Sequence, residues 1–548
     1  MFPGNFRFGK LLYCVTPTQY KPIFMKKLFL TAGITAISGI ALTFLAFTRP
    51  NSTRKNDDTI TVDGGSISGV KSSESDVVAF KGIPFAAPPV GDLRWKAPQP
   101  VVPWQGVKAC NAFGPSPMQA KPVPFMVYTS EFLIPAEPIS EDCLYLNVWT
   151  KAHKGEKKAV LLWIYGGGFS SGGTGCPIYD GEALAKKGII FVSANYRVGV
   201  FGFLAHPELT KESPNNASGN YGLMDQIAAL QWIKNNIAAF GGDPDNVTID
   251  GQSAGSMSVN ALVASPQAKG LFKHAIAESG SFLVANPLLS SVTLQTAEQQ
   301  GLKFQEAAHA SSLADLRKIP AQDLLKVQGR FSPIADGFVL PKPIYQIFAD
   351  GEENNVAVIT GWNADESFVM SFKKADAYKE QIKKQFGADA DEVLKYYPGN
   401  TDEEAQRSQV RMSRDQTFAM SGFKWISLQS EQGKAPIYAY NFQRKLPATP
   451  DYVKYGAFHT GEVAYALDDL KFLNRPWEPA DQPLADLMSD YWVNFIKTGN
   501  PNGKGLPEWP KYNNKTQQAM IFNTTSGKQT LPDKDALKYM VGRAEAGK

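Results

Sequence analysis

The sequence predicts an α/β architecture: a large, mostly parallel central sheet with helices on both faces and helical insertions that cap it. Three observations support this. The run Val160-Leu161-Leu162-Trp163-Ile164-Tyr165 is apolar without alternation, as a strand buried on both faces must be. The β-branched run Val247-Thr248-Ile249 leads through a glycine-bounded turn into Ala254 to Val263, a small-residue stretch able to form a helix. The segments Asn286 to Gly329 and Lys373 to Gly433 are helix-patterned and rich in Glu, Gln and Lys, which reads as cap insertions. At 548 residues the chain exceeds the usual single domain. No linker, repeat or low-complexity stretch divides it, so one large domain is expected over residues 49–548.

The turn after the β-branched run carries the first chemistry. It reads Asp250-Gly251-Gln252-Ser253-Ala254-Gly255 and is preceded by Phe240-Gly241-Gly242-Asp243-Pro244. A serine caught between a strand and a helix sits on a sharp, strained turn. Glycines two residues either side let neighbouring backbone pass close, so the hydroxyl projects from the sheet edge. Ser253 is the expected nucleophile.

A serine hydroxyl is weak at neutral pH and needs a base, an orienting acid and donors for the oxyanion. Val160–Tyr165 empties into Gly166-Gly167-Gly168-Phe169. Glycines after a central strand leave backbone N–H groups free to face a ligand. Gly167, Gly168 and Ala254, the residue after the nucleophile, are the expected oxyanion donors, each worth ~3 kcal/mol in the transition state. A phosphate-binding loop is the rival reading, and it fails because no Gly-Lys-Ser/Thr follows. Phe169 and Gln252 are expected to shape the substrate pocket.

The chain has five histidines: His153, His206, His274, His309 and His459. Strand–turn–helix serine sites run in the order serine, acid, histidine, which leaves the last three. His274 opens an apolar strand, and His309 falls in a helical segment. His459 lies in Gly456-Ala457-Phe458-His459-Thr460-Gly461-Glu462, a loop beyond the strand-like Pro436–Phe442, where a base can reach Ser253. The acid should follow another strand, Val356–Gly361. Asp365 or Glu366 could serve, and spacing does not choose between them.

Taken together these motifs make the chain resemble the type B carboxylesterase/cholinesterase family of the α/β-hydrolase fold, in its bacterial, para-nitrobenzyl-esterase-like form. Glu141-Asp142-Cys143-Leu144-Tyr145-Leu146-Asn147-Val148-Trp149 is similar to that family's second signature. Phe80–Ala86, Asn195–Gly199 and Tyr491–Phe495 add further matches. The resemblance implies serine ester hydrolysis, with Glu366 as acid and His459 as base. It also implies a Cys110–Cys143 disulfide, although Cys110 stands three residues upstream of Phe113 rather than after it. Gln252 replaces the glutamate usual before the nucleophile, and no Trp lies between the two cysteines. Both departures argue against cationic, choline-like substrates. The resulting expectation is a neutral, moderately apolar ester. Lipase- or thioesterase-like action on longer acyl chains is the alternative. A silent binding protein of the same fold is disfavoured because every catalytic group is present.

Residues 25–48 read as a signal peptide or N-terminal membrane anchor. Lys26 and Lys27 precede an uncharged, mostly apolar run over 28–47, long enough to span a bilayer. Residues 1–24 resemble neither part and suggest an upstream extension, with translation starting at Met25. Export to the periplasm or medium, or anchoring by 28–47, follows. The net charge of +4 comes from this region, and beyond residue 48 there are 51 basic against 52 acidic residues. That balance argues against nucleic acid or anionic surfaces as partners. Cys14, Cys110, Cys143 and Cys176 are too scattered for a zinc site, so no metal and no cofactor is implied.

Overall fold

A computed structural model of the chain describes residues 59–284 and 292–547. The upstream extension and the signal or anchor segment therefore lie outside the described residues, as does Cys14. Eleven strands form the main sheet among the described residues. They are β1 (Val70–Lys71), β2 (Val78–Pro84), β3 (Tyr145–Thr150), β4 (Lys158–Ile164), β5 (Ile190–Ala194), β6 (Gly242–Gln252), β7 (His274–Glu278), β8 (Ala357–Asn363), β9 (Ile437–Phe442), β10 (Gln518–Phe522) and β11 (Gly527–Thr530).

Their spatial order is β11-β10-β9-β8-β7-β6-β4-β5-β3-β2-β1. The seven strands from β5 to β10 pair in parallel, and antiparallel strands close both edges. The parallel strands are almost wholly buried, which is why they read as apolar runs without alternation. β4 lies between β5 and β6, so chain direction across the sheet reverses there. Such a switch point opens a crevice at the C-terminal strand ends.

Eight longer helices accompany the sheet among the described residues: α1 (Tyr221–Asn236), α2 (Ala254–Ala264), α3 (Leu294–Ala307), α4 (Ala375–Phe386), α5 (Asp402–Arg414), α6 (Met420–Gln432), α7 (Asp481–Thr498) and α8 (Lys534–Glu545). Helix α2 is buried along its whole length, and α1, α2 and α7 pack on β4 and β6 or on one another. The described part of the first expected cap segment, from residue 292, holds α3, and the second holds α4 to α6; residues 286–291 lie outside the described residues. Helix α5 shows why. Thr401 caps it by accepting the Glu404 N–H at 3.2 Å, and Asp402, Glu403 and Glu404 fill its first turn, where the helix dipole favours anions. Ala405, Ser408 and Met412 form its buried stripe. A π-helical turn, Asp415–Ala419, joins α5 to α6. Among the described residues no helix is long and apolar enough to cross a membrane.

The structure corrects the disulfide expectation. Cys110, Cys143 and Cys176 are free and buried. The Cys110 carbonyl accepts the N–H of Lys81, whereas Leu144, next to Cys143, accepts that of Phe85. Four residues of chain near β2 thus separate the two anchoring points, on the order of 10 Å. A disulfide needs its Cα atoms within about 7 Å. Burial instead pushes the Cys143 thiol up and raises that of Cys110 to about 11, so both rest as inert thiols.

Candidate active site

Ser253 stands between β6 and α2 with φ 59° and ψ −121°, a backbone region that side chains other than glycine rarely occupy. Its own N–H donates to the Glu278 carbonyl at 2.8 Å, and its carbonyl accepts the Met257 N–H at 2.9 Å, opening the helix. These bonds hold the strain in place. Both flanking glycines are required by space. A Cβ on Gly251 would lie 2.7 Å from the Ile164 carbonyl oxygen, and one on Gly255 would collide with the same atom. The Ser253 turn is thus pressed backbone to backbone against the end of β4.

His459 hangs from the loop beyond β9, and Glu366 from the loop beyond β8. The His459 Nε2 is 2.8 Å from the Ser253 hydroxyl, and its Nδ1 is 2.7 Å from Glu366 Oε2. The other oxygen of Glu366 accepts the Asn363 N–H at 2.9 Å. Of the two acids left open by spacing, Glu366 reaches the imidazole. Asp365 instead accepts the Ala457 N–H at 2.9 Å and donates its own N–H to the Ala457 carbonyl at 3.1 Å, tying the two loops together. Asn363 adds a further tie, donating from Nδ2 to the Phe458 carbonyl at 2.8 Å.

Opposite this row, Gly167 and Gly168 have φ 113° and 61°. The Gly167 carbonyl accepts the N–H groups of Ser170 and Ser171, each at 3.1 Å. Among the described residues, the N–H groups of Gly167, Gly168 and Ala254 have no acceptor. Ala254 adds the positive end of the α2 dipole. Phe169 is fully buried, stacked on Phe282 at 6.0 Å and edge-on to Phe203 at 5.3 Å, and it anchors this loop. Gln252 is buried against His459. Its amide nitrogen lies 3.3 Å from each imidazole nitrogen, and its oxygen accepts from Thr460 at 3.3 Å.

Burial governs the electrostatics. It lowers His459 to about 4, against a smaller opposing pull from the Glu462 charge, so the imidazole is neutral at pH 7. Burial raises Glu366, and the Asn363 N–H, Ser279 and the Arg414 charge pull it back. Three more buried carboxyls lie behind the row. Glu462 accepts from Asn363 Nδ2 and from Ser279 at 3.4 Å, and Glu278 accepts the Trp492 indole N–H at 2.9 Å. Asp250 is buried near Glu278, and neither of its carboxylate oxygens has a hydrogen-bond partner among the described residues. Burial pushes both acids well above the ordinary carboxylate range. Among the described residues, no three His, Cys, Asp or Glu side chains gather as a metal site requires.

The sequence reading missed several neighbours. Phe418 stacks on the His459 ring at 4.2 Å and 16°, and Phe368 meets that ring edge-on at 5.8 Å. Tyr128 donates its hydroxyl to the His459 carbonyl at 3.0 Å. Phe368 and Glu462 were visible beside the two motifs. Phe418 was not, because it reaches the site through a π-helical turn whose extra residue leaves no pattern in the sequence.

The carboxylesterase family model matches residues 56–539, nearly the whole described chain. The chain belongs to the carboxylesterase family. It is an ester hydrolase of that family, built on the α/β-hydrolase fold. The chain is similar to a fumonisin B1 esterase of Sphingopyxis macrogoltabida, 36% identical over 89% of this chain and 92% of the relative. It is also similar to a para-nitrobenzyl esterase of Bacillus subtilis (strain 168), 34% identical over 85% and 94%. A medium-chain fatty acyl-CoA hydrolase precursor of Anas platyrhynchos is 32% identical over 92% and 94%.

Proposed function

We propose that this carboxylesterase works through Ser253, His459 and Glu366, by way of an acyl-enzyme. The observation that supports this best is the unbroken row from the Ser253 hydroxyl through both imidazole nitrogens to Glu366, at 2.8 and 2.7 Å. Ser253 attacks the ester carbonyl as His459 takes its proton, and Glu366 stabilises the imidazolium that forms. Gly167, Gly168 and Ala254 donate to the oxyanion. The alcohol leaves with the proton from His459, and water repeats the sequence to release the acid. Glu366 holds the proton of the imidazole on Nδ1, which leaves Nε2 free to accept.

Gln252 places a neutral amide where a carboxylate would favour cations, and aromatic rings surround the base. These features favour neutral, moderately apolar small-molecule esters, with no nucleic-acid partner. Hydrolysis of longer acyl chains is the second reading, favoured by the likeness to the fatty acyl-CoA hydrolase precursor. Export of the enzyme, read from residues 25–48, belongs to the same proposal and is checked by cell fractionation and N-terminal sequencing. A fluorophosphonate should add to one serine, and peptide mass mapping should find it on Ser253. An adduct elsewhere, or none on folded protein, would sink the assignment.

A further inference from the structure

Every exposed phenylalanine and methionine among the described residues lies beside the Ser253 site. Phe125, Phe368, Met370 and Phe372 are 54%, 39%, 75% and 43% exposed, and Val123 and Val453 accompany them. Elsewhere the exposed large apolar side chains are scattered valines, Leu302 and Tyr345. The three rings and the thioether fall on two segments, 121–128 and 367–374, Val453 adds a third, 445–456, and each segment is tied to His459. Phe125 meets Tyr128 in a tilted ring contact at 4.8 Å, and the Tyr128 hydroxyl donates to the His459 carbonyl. Phe368 touches the imidazole itself. The third segment runs through Gly456 and Ala457 into the His459 loop, where Asp365 fastens it. Exposed apolar side chains gathered at one mouth mark an interaction surface rather than ordinary scatter.

Charge says what that surface fits. The three segments hold Lys121, Lys373, Lys374, Lys445 and Lys454 against a single acid, Asp451. All five lysines are exposed, and among the described residues only Lys121 forms an ion pair with a carboxylate, Glu137, itself 60% exposed. The near-neutral balance beyond residue 48 conceals this local excess. Apolar tips ringed by lysines match an interface that is apolar within and anionic at its headgroups.

We propose that this face docks the enzyme on aggregated anionic lipid. Met370 and Phe372 enter the acyl boundary, the lysines sit among the headgroups, and an ester-bearing amphiphile passes directly to the site. Delivery to Ser253 rests on the proposed catalytic reading, whereas docking does not.

The test uses the full chain carrying Ser253→Ala, so that no lipid is hydrolysed, and Cys14→Ser, so that labelling is specific. Met370→Cys carries a polarity-sensitive fluorophore, and Val102→Cys, exposed but remote from the three segments, serves as the comparison. Residues 28–47 can bind a bilayer themselves, so the readout must be local to the label. Phosphatidylglycerol vesicles should blue-shift the label at 370 and leave that at 102 unchanged, and phosphatidylcholine vesicles should do markedly less. No shift at 370, equal shifts at both positions, or equal shifts with both lipids would overturn the proposal. So would a shift on concentrating the protein without vesicles, which would make the face a contact between copies of the chain.

Discussion

His459 and Glu366 are buried and Ser253 is only partly exposed, whereas Phe368, only two residues from Glu366, and Met370 and Phe372 beyond it stand in solvent. The floor is polar and buried, with Asp250, Glu278 and Glu462 stacked behind the reacting groups. The rim is apolar and exposed. Neither arrangement helps folding, since buried carboxyls oppose it and exposed phenylalanines forgo the gain of burial. On the two proposed readings, chemistry accounts for the floor and recruitment for the rim, which is what the contrast teaches. A low-dielectric floor strengthens every dipole aimed at the reacting atoms, and a rim of rings meets an apolar substrate before the floor does.

The largest effects should come from the floor. His459→Ala should lower kcat/KM by about 10⁴- to 10⁶-fold, and Glu366→Gln by about 10⁴-fold. Asp365→Asn, which leaves the imidazole contacts intact, should cost less than about tenfold. Steady-state kinetics on one soluble ester would show the order, and a larger loss for Asp365 than for Glu366 would reverse the assignment. Gly167→Ala comes next. Its new Cβ would meet the Ser171 backbone at a φ of 113°, tilting the donor N–H groups. The expected loss is about 10²- to 10³-fold, expressed in kcat rather than KM.

A smaller effect lies in the pH profile. The base must be neutral to accept a proton, and burial lowers His459 to about 4. The acid limb of kcat/KM should therefore rise through about pH 4, not through the ordinary imidazole range near 6.5. A limb centred between pH 6 and 7 would show that the imidazole is hydrated in the working enzyme. The same shift means that folding stability contributed by neutral His459 is lost as pH falls from 6.5 toward 4, because the unfolded chain then binds the extra proton.

The smallest effect concerns the acids beneath. Burial raises Asp250 and Glu278, so the folded state retains a proton that the unfolded chain releases. Stability contributed by this pair is present at low pH and is lost as pH rises above the ordinary carboxylate range. Asp250→Asn should then raise Tm at pH 8 by a few degrees, for about 1–2 kcal/mol, and the gain should shrink toward pH 5. A lower Tm at pH 8 would show the pair to be a net support of the fold.

Much of the floor was legible in the sequence because it is local. Gly251, Ser253 and Gly255 announce a strained turn, and the continuous apolar runs announce buried parallel strands. The Asp365 and Glu366 alternatives separated only when β8 and β9 were set side by side, since a carboxylate one residue away points elsewhere. Cys110 and Cys143 misled because the family pattern carries no register, and it is the packing of both cysteines along β2 that keeps them apart. The rim was illegible for a similar reason. Phe125, Met370 and Val453 come from three distant segments, and neither periodicity nor net charge reveals that they share a mouth.

The most direct test of the central claim is a stopped-flow time course with p-nitrophenyl butyrate. The intact enzyme should release p-nitrophenol in a burst of about one equivalent per chain, or turn over steadily if deacylation is fast, and Ser253→Ala should do neither. Turnover that survives Ser253→Ala at more than about a thousandth of the original rate would contradict the account, because the oxyanion donors alone cannot supply it.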